Sequence, residues 1–133
     1  MKLRTYLNYG GNCKQAFRFY EEHLGGKITM MMTHGQGPNA GKVPAEQKNT
    51  ILHARLELGN TVVMGADIPK SEPMRSAYLT LTVDSEKEAE RVYALLSEGG
   101  QIFMPLNTYP FSRKFGWLSD KYGVSWQLNW PNN

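Results

Sequence analysis

His53 and Arg55 stand two residues apart in Ile51-Leu52-His53-Ala54-Arg55-Leu56. An imidazole titrates near neutral pH and can serve as a general base. A guanidinium can hold an anionic substrate group through charge-assisted hydrogen bonds. On a strand, spacing of two puts both side chains on one face. No nucleophile or partner acid for His53 is visible, so the plainer reading is a histidine hydrogen-bonded within its sheet or at a dimer contact. His23, in an expected last helical turn, suits a cation near a helix C-terminus. His34 opens a loop and is expected to be solvated. No two histidines have a short metal-ligand spacing. The single Cys13 leaves no internal disulfide and no cysteine-based metal cage. It opens a helix, where the dipole lowers a thiol pKa, but a buried structural thiol is the simpler expectation. Trp126 shares strand parity with Val124 and Leu128 and reads as core. Trp117, if it faces a cavity with Tyr78 and Phe115, would stack on an aromatic or cationic ligand.

The elements that position these residues can be read from periodicity. Leu3 to Tyr9 reads as a strand, and Gly10-Gly11-Asn12 breaks it, with Asn12 a helix N-cap. From Cys13 to Leu24, Ala16, Phe17, Phe19, Tyr20 and Leu24 fall at helical spacing, and Gly25-Gly26 stops that helix. Lys27 to Thr33 is a strand carrying Met30-Met31-Met32, a soft apolar surface. Residues 34–48, with their glycines and prolines, read as a loop without regular structure. Thr50 to Leu58 and Thr61 to Ala66 form a hairpin about Gly59-Asn60, and Asp67 to Arg75 reads as a linker. The order then recurs. Ala77 to Val83 is a strand, and Asp84-Ser85 opens a helix to about Glu98, Ser85 and Glu88 fitting a capping box. Gln101 to Met104 is a short strand, a loop holds Pro105 and Pro110, and Lys114 to Ser119 and Val124 to Trp130 are strands about a turn at Asp120–Gly123. The segment Leu24-Gly25-Gly26-Lys27-Ile28-Thr29-Met30 returns as Glu98-Gly99-Gly100-Gln101-Ile102-Phe103-Met104. This internal repeat predicts two βαβββ modules, at about 1–67 and 76–130, each too small to stand alone, within a single domain spanning 1–133.

Alternation also assigns faces. Leu52, Ala54, Leu56 and Leu58 are expected to pack under a helix, leaving Ile51, His53, Arg55 and Glu57 opposite. Ala77, Leu79, Leu81 and Val83 oppose Tyr78, Thr80 and Thr82. Val124, Trp126 and Leu128 oppose Ser125, Gln127 and Asn129. Curved mixed sheets with helices outside would gather the second faces into a polar-lined cup, the kind of concavity that takes a small ligand.

The chain has 133 residues, 41 % hydrophobic and 20 % charged, so it can build a core and is neither disordered nor fibrous. No apolar run reaches the roughly 20 residues of a membrane span, and the N-terminus turns polar too early for a signal peptide, so a cytoplasmic location is expected. The net charge of +3 comes from 15 basic and 12 acidic residues. Those charges are scattered, without a basic helix or an RNA-binding aromatic signature, so neither nucleic acid nor membrane is expected as a partner.

Three stretches carry a resemblance: Tyr6-Leu7-Asn8-Tyr9-Gly10-Gly11-Asn12-Cys13 with Ala16 and Phe19-Tyr20; His53-Ala54-Arg55-Leu56; and Phe115-Gly116-Trp117-Leu118-Ser119-Asp120-Lys121-Tyr122-Gly123-Val124-Ser125-Trp126-Gln127-Leu128. Together they resemble the PhnB-like branch of the vicinal oxygen chelate superfamily, which holds glyoxalase I, bleomycin- and fosfomycin-resistance proteins and extradiol dioxygenases. The resemblance covers nearly the whole chain. It implies an α+β fold of paired βαβββ modules around a cup, in a homodimer. Members of the branch often carry a demethylubiquinone methyltransferase label, but no Gly-rich nucleotide site follows the first strand here. Superfamily enzymes hold a metal with His and Glu, one from each of four strands. The resemblance puts those positions at Thr5, Met64, Tyr78 and Gln127, which supply neither carboxylate nor imidazole, so no metal and no cofactor are expected.

The sequence therefore predicts a metal-independent small-molecule-binding homodimer with a cup lined by Thr5, His53, Arg55, Met64, Tyr78, Trp117 and Gln127. Two other classes compete with it. One is a lyase, isomerase or dioxygenase-type enzyme using unorthodox metal ligands or acid–base chemistry at His53. The other is a structural dimer with an unused cup. No catalytic residue is identified, and a fold alone does not choose among chemistries.

Overall fold

A computed structural model describes all residues, 1–133. The chain divides into two compact units, Met1–Glu72 and Pro73–Asn133. In the first, β1 (Thr5–Tyr9), α1 (Cys13–Leu24), β2 (Lys27–Thr33), β3 (Ile51–Leu58) and β4 (Thr61–Asp67) build a four-stranded sheet in the order β1-β4-β3-β2. In the second, β5 (Leu79–Thr82), α2 (Glu86–Ser97), β6 (Gln101–Tyr109), β7 (Ser112–Ser119) and β8 (Ser125–Pro131) repeat that plan in the order β5-β8-β7-β6. β1 runs parallel to β4 and β5 to β8, the other pairs are antiparallel, and the doubled βαβββ architecture expected from the repeat is present.

The two helices bury the same stripe. α1 buries Cys13, Ala16, Phe17 and Tyr20, and α2 buries Ala89, Val92, Tyr93 and Leu96, each at i, i+3, i+4, i+7 spacing. In each unit the stripe's aromatic ring lies over a sheet glycine. A Cβ on Gly65 would come 2.8 Å from Phe17 Cζ and 3.0 Å from the Leu7 carbonyl oxygen, and one on Gly116 would come 2.7 Å from Tyr93 Cε2. Both glycines are there for close approach, since any larger residue would lift the helix from its sheet.

The helix starts are solved differently. Ser85 caps α2, its hydroxyl accepting the Glu88 N–H at 3.1 Å, as the capping motif predicted. Asn12 occupies the N-cap position of α1 but its side chain makes no capping bond. The buried Asp67 carboxylate caps that end from the last residue of β4. Its Oδ1 accepts the N–H of Gly11 at 2.8 Å and of Cys13 at 3.0 Å, and its Oδ2 accepts the N–H of Ile51 at 2.8 Å. A carboxylate outcompetes an amide for these donors, and Asp67 belongs to a strand, not to the expected linker.

Other expectations need correction. Residues 34–48 form three short 3-10 turns, His34–Gln36, Ala40–Lys42 and Ala45–Gln47, which glycines and prolines permit where they bar longer helices. β6 does not stop at Met104. It runs to Tyr109 and pairs with β7, which starts at Ser112 rather than Lys114. Pro105 is tolerated because β6 is an edge strand and its register slips between Met104 and Asn107. Ile51 is fully buried, contrary to its assigned face. Met32 pairs with His53 while Thr33 pairs with Ile51, so Leu52 is an extra residue, and this bulge returns Ile51 to the helix side.

Replacing Asp67 by Asn leaves backbone donors unpaired beside an NH2 group. Asp67→Asn is expected to lower unfolding stability by about 2–4 kcal/mol with an unchanged denaturant slope. Urea titration monitored by far-UV circular dichroism checks this, and a midpoint equal to wild type would refute the role given to the carboxylate.

Candidate functional site

Each sheet carries its helix on one face and leaves the other open. In the first unit, buried Leu7 and Tyr9 set the parity of β1, so Tyr6 and Asn8 lie on the open face and are exposed. The ladder then places Tyr6 beside Met64, Met64 beside Arg55, and Arg55 beside Met30. His53, two residues from Arg55, pairs with Met32 in the same ladder. The Tyr6 hydroxyl lies 3.1 Å from His53 Nδ1, and the two rings stack at 5.7 Å with 28° between their planes. This contact reaches across β4, which separates β1 from β3. The ladder position on β4 next to Gly65 is the small Ala66, which leaves room for the imidazole to lean over it. Arg55 directs one guanidinium nitrogen to Met64 Sδ at 3.9 Å.

The second unit repeats the row with other chemistry. Thr80 pairs with Gln127, and Gln127 with Trp117. The Thr80 hydroxyl donates to Gln127 Oε1 at 3.0 Å. Because Gly116 lies under Tyr93, Trp117 points to the open face, where Tyr78 stacks on it at 5.3 Å and 24°. Phe115 meets the same indole edge-on at 6.0 Å. The indole N–H of Trp117 is buried with no hydrogen-bond partner. Trp126 is core, and its N–H donates to Asp120 Oδ2 at 2.8 Å.

Of the residues predicted for the cup, the first sheet brings together His53, Arg55 and Met64, and the second brings together Tyr78, Trp117 and Gln127. Thr5 is not with the first group. It shares the parity of Leu7 and Tyr9, on the face toward the helix, and Tyr6 holds the place assigned to it. Thr80, rather than Tyr78, is the neighbour of Gln127. Alternation read from Leu7 and Tyr9 would have found Tyr6, and it had already put Thr80 on the polar face. The cleft of about 540 Å³ in the second unit is elsewhere, among Met74, Arg75, Gly100, Phe103, Ser119 and Lys121, and no predicted site residue lines it.

A family model for 3-demethylubiquinone-9 3-methyltransferase matches residues 1–129. The chain belongs to this PhnB-like family. It is 37 % identical to protein PA1353 from Pseudomonas aeruginosa, whose crystal structure superposes with a TM-score of 0.89 over 100 % of this chain and 99 % of that one. A PhnB protein from Bacillus cereus, a putative 3-demethylubiquinone-9 3-methyltransferase, is 33 % identical with a TM-score of 0.83, covering 98 % and 99 % of the two chains. Protein YjdN of Escherichia coli is 28 % identical over 97 % of this chain and 95 % of its own. A glyoxalase/bleomycin resistance/dioxygenase domain from Frankia superposes with a TM-score of 0.68 at 15 % identity over 99 % and 98 % of the chains, a likeness of fold alone.

A fosfomycin resistance protein, FosX, from Listeria monocytogenes, solved with Mn(II), superposes with a TM-score of 0.68 at 9 % identity over 99 % and 93 % of the chains, again a likeness of fold alone. In this PhnB-like chain the rows beside the paired strands present a phenol, a thioether, a hydroxyl and an amide, from Tyr6, Met64, Thr80 and Gln127. No three His, Cys, Asp or Glu side chains are grouped so as to hold an ion. These donors do not fit a resident divalent metal. The turn between β1 and α1 is also filled, since the amides of Gly11 and Cys13 are both spent on Asp67.

Cys13 is fully buried. Burial, and after it the negative charge of Asp67, pushes the thiol up to about 12 from its ordinary 9.0, opposite to activation by the helix dipole. The folded chain thus keeps a proton that the unfolded chain releases. The associated stability is complete below the unfolded value of 9.0 and is lost as pH rises towards about 12. The excess stability of wild type over Cys13→Ala is expected to shrink through that window, which denaturant titrations at a series of alkaline pH values measure. A pH-independent difference would contradict the raised thiol.

Proposed function

We propose that this PhnB-like protein is a cytoplasmic homodimer that binds a small organic molecule on the open faces of its sheets, without a resident divalent metal. The observation that carries the reading is the composition of those faces. The first presents the Tyr6–His53 pair beside Arg55, and the second presents the Tyr78–Trp117 stack beside Gln127. An ordinary solvated sheet face shows short polar and charged residues instead. Aromatic planes with a few fixed polar groups are what ligand sites use. The donor set supports binding without a metal, since neither row offers the carboxylate or imidazole array of a Lewis-acid site.

The methyltransferase description of the family is not taken over. In the glycine turn after β1 the amides of Gly11 and Cys13 are engaged by Asp67, so these two donors are not open to a cofactor. The absence of any helix long and apolar enough to cross a membrane is compatible with the cytoplasmic part of the reading.

Native mass spectrometry of the protein as purified, with neither metal nor chelator added, tests the dimer, the ligand and the metal-free reading together. The expected spectrum is a dimer with an organic adduct and no divalent ion. About one divalent ion per chain would overturn the metal-free reading in favour of a metal-dependent enzyme. A bare dimer, unchanged by incubation with cell extract metabolites, would favour a structural role, and a monomer would remove the dimer.

A further inference from the structure

Arg55 sits half-buried in the middle of the first sheet's open face, yet no carboxylate pairs with it. Its one polar contact is the weak acceptor Met64 Sδ at 3.9 Å. Met30 and Met64 flank it across the ladder. Glu57, two residues on along the same face, is exposed and does not bridge to it. A guanidinium beside two thioethers and without a counter-charge leaves its charge-assisted hydrogen bonds to be made by water or by a bound anion.

The neighbouring imidazole adds to the same demand. His53 is held at Nδ1 by Tyr6. With the phenol as donor, the ring proton resides on Nε2, which makes that edge a donor as well. On one strand face, His53 and Arg55 are separated by two residues, about 7 Å along the chain, so a single small group can receive hydrogen bonds from both. Two donor groups on one strand face, neither paired with a carboxylate, favour a ligand group that only accepts. We propose that Arg55 and His53, the latter positioned by Tyr6, form an oxyanion site that receives the carboxylate or phosphate of the ligand. The inference rests on the small-molecule reading above and adds its chemical class.

The test uses the whole protein, with arginine Nε–H and histidine ring nitrogens followed by NMR at constant ionic strength. The probes are benzoate, inorganic phosphate and the neutral benzamide. Benzoate or phosphate is expected to shift Arg55 and His53 resonances saturably, and which of the two binds more tightly separates a carboxylate from a phosphate ligand. Arg55→Met is expected to weaken binding by about tenfold or more. Arg55→Lys keeps the charge without the fork, so it should retain part of the affinity and guards against a folding artefact. Tyr6→Phe should alter the His53 nitrogen shifts in the free protein, the signature of a lost tautomer lock, and weaken benzoate less than Arg55→Met does. Equal shifts with benzamide and benzoate would overturn the oxyanion site while leaving small-molecule binding intact. No shift with either anion, or full affinity in Arg55→Met, would overturn it too, whatever adduct mass spectrometry reports.

Discussion

The carboxylate of Asp67 is the constraint on which the first module depends. It closes β4, yet its two oxygens reach the turn after β1, the first residue of α1 and the first residue of β3. Three separate segments therefore converge on one buried anion. Satisfying buried amides this way is worth more than a neutral cap, because the acceptor is charged. The bond to Ile51 is also what begins β3 in its observed register. Across the bulge at Leu52, Ile51 turns inward while His53 and Arg55 keep the open-face parity opposite Ala54 and Leu56.

The second module meets the same geometric demand with other groups. Ser85 caps its helix, and a buried aspartate, Asp120, organises the turn before β8 by accepting the N–H groups of Tyr122 and Val124 and the indole of Trp126. What the two modules share is the seat of the helix, an aromatic ring on a glycine. They also share a bulge early in the strand after the helix, where Thr29 and Phe103 are the extra residues. The repeat preserves backbone shape and core contacts. The open faces differ, one basic and one aromatic.

Most of the architecture was legible in the sequence because it rests on local signals: helical spacing at Ala16, Phe17 and Tyr20, glycine pairs after both helices, and the recurrence of one segment. The missed cap, bulge and edge strand were non-local. Nothing near Asn12 announces that a carboxylate 55 positions later will replace its side chain as the cap. Strict alternation could not foresee the bulge that buries Ile51. Pro105 argued for a loop because edge position, which makes a proline harmless, is a property of the sheet. For the candidate site, the six open-face residues named in advance came from alternation and resemblance together. Thr5 came from the resemblance alone, and the parity of Leu7 and Tyr9 points to Tyr6.

The irregular edge strand β6 has a consequence for self-association. It ends its sheet with Ile102 and Phe103 exposed, side chains that invite another strand to add on. A growing filament would need an unbroken line of amide donors there. Pro105 removes one, and the repeated slips in register twist the remainder out of line. The second module thus carries an apolar border whose proline and slipped register work against strand-by-strand addition.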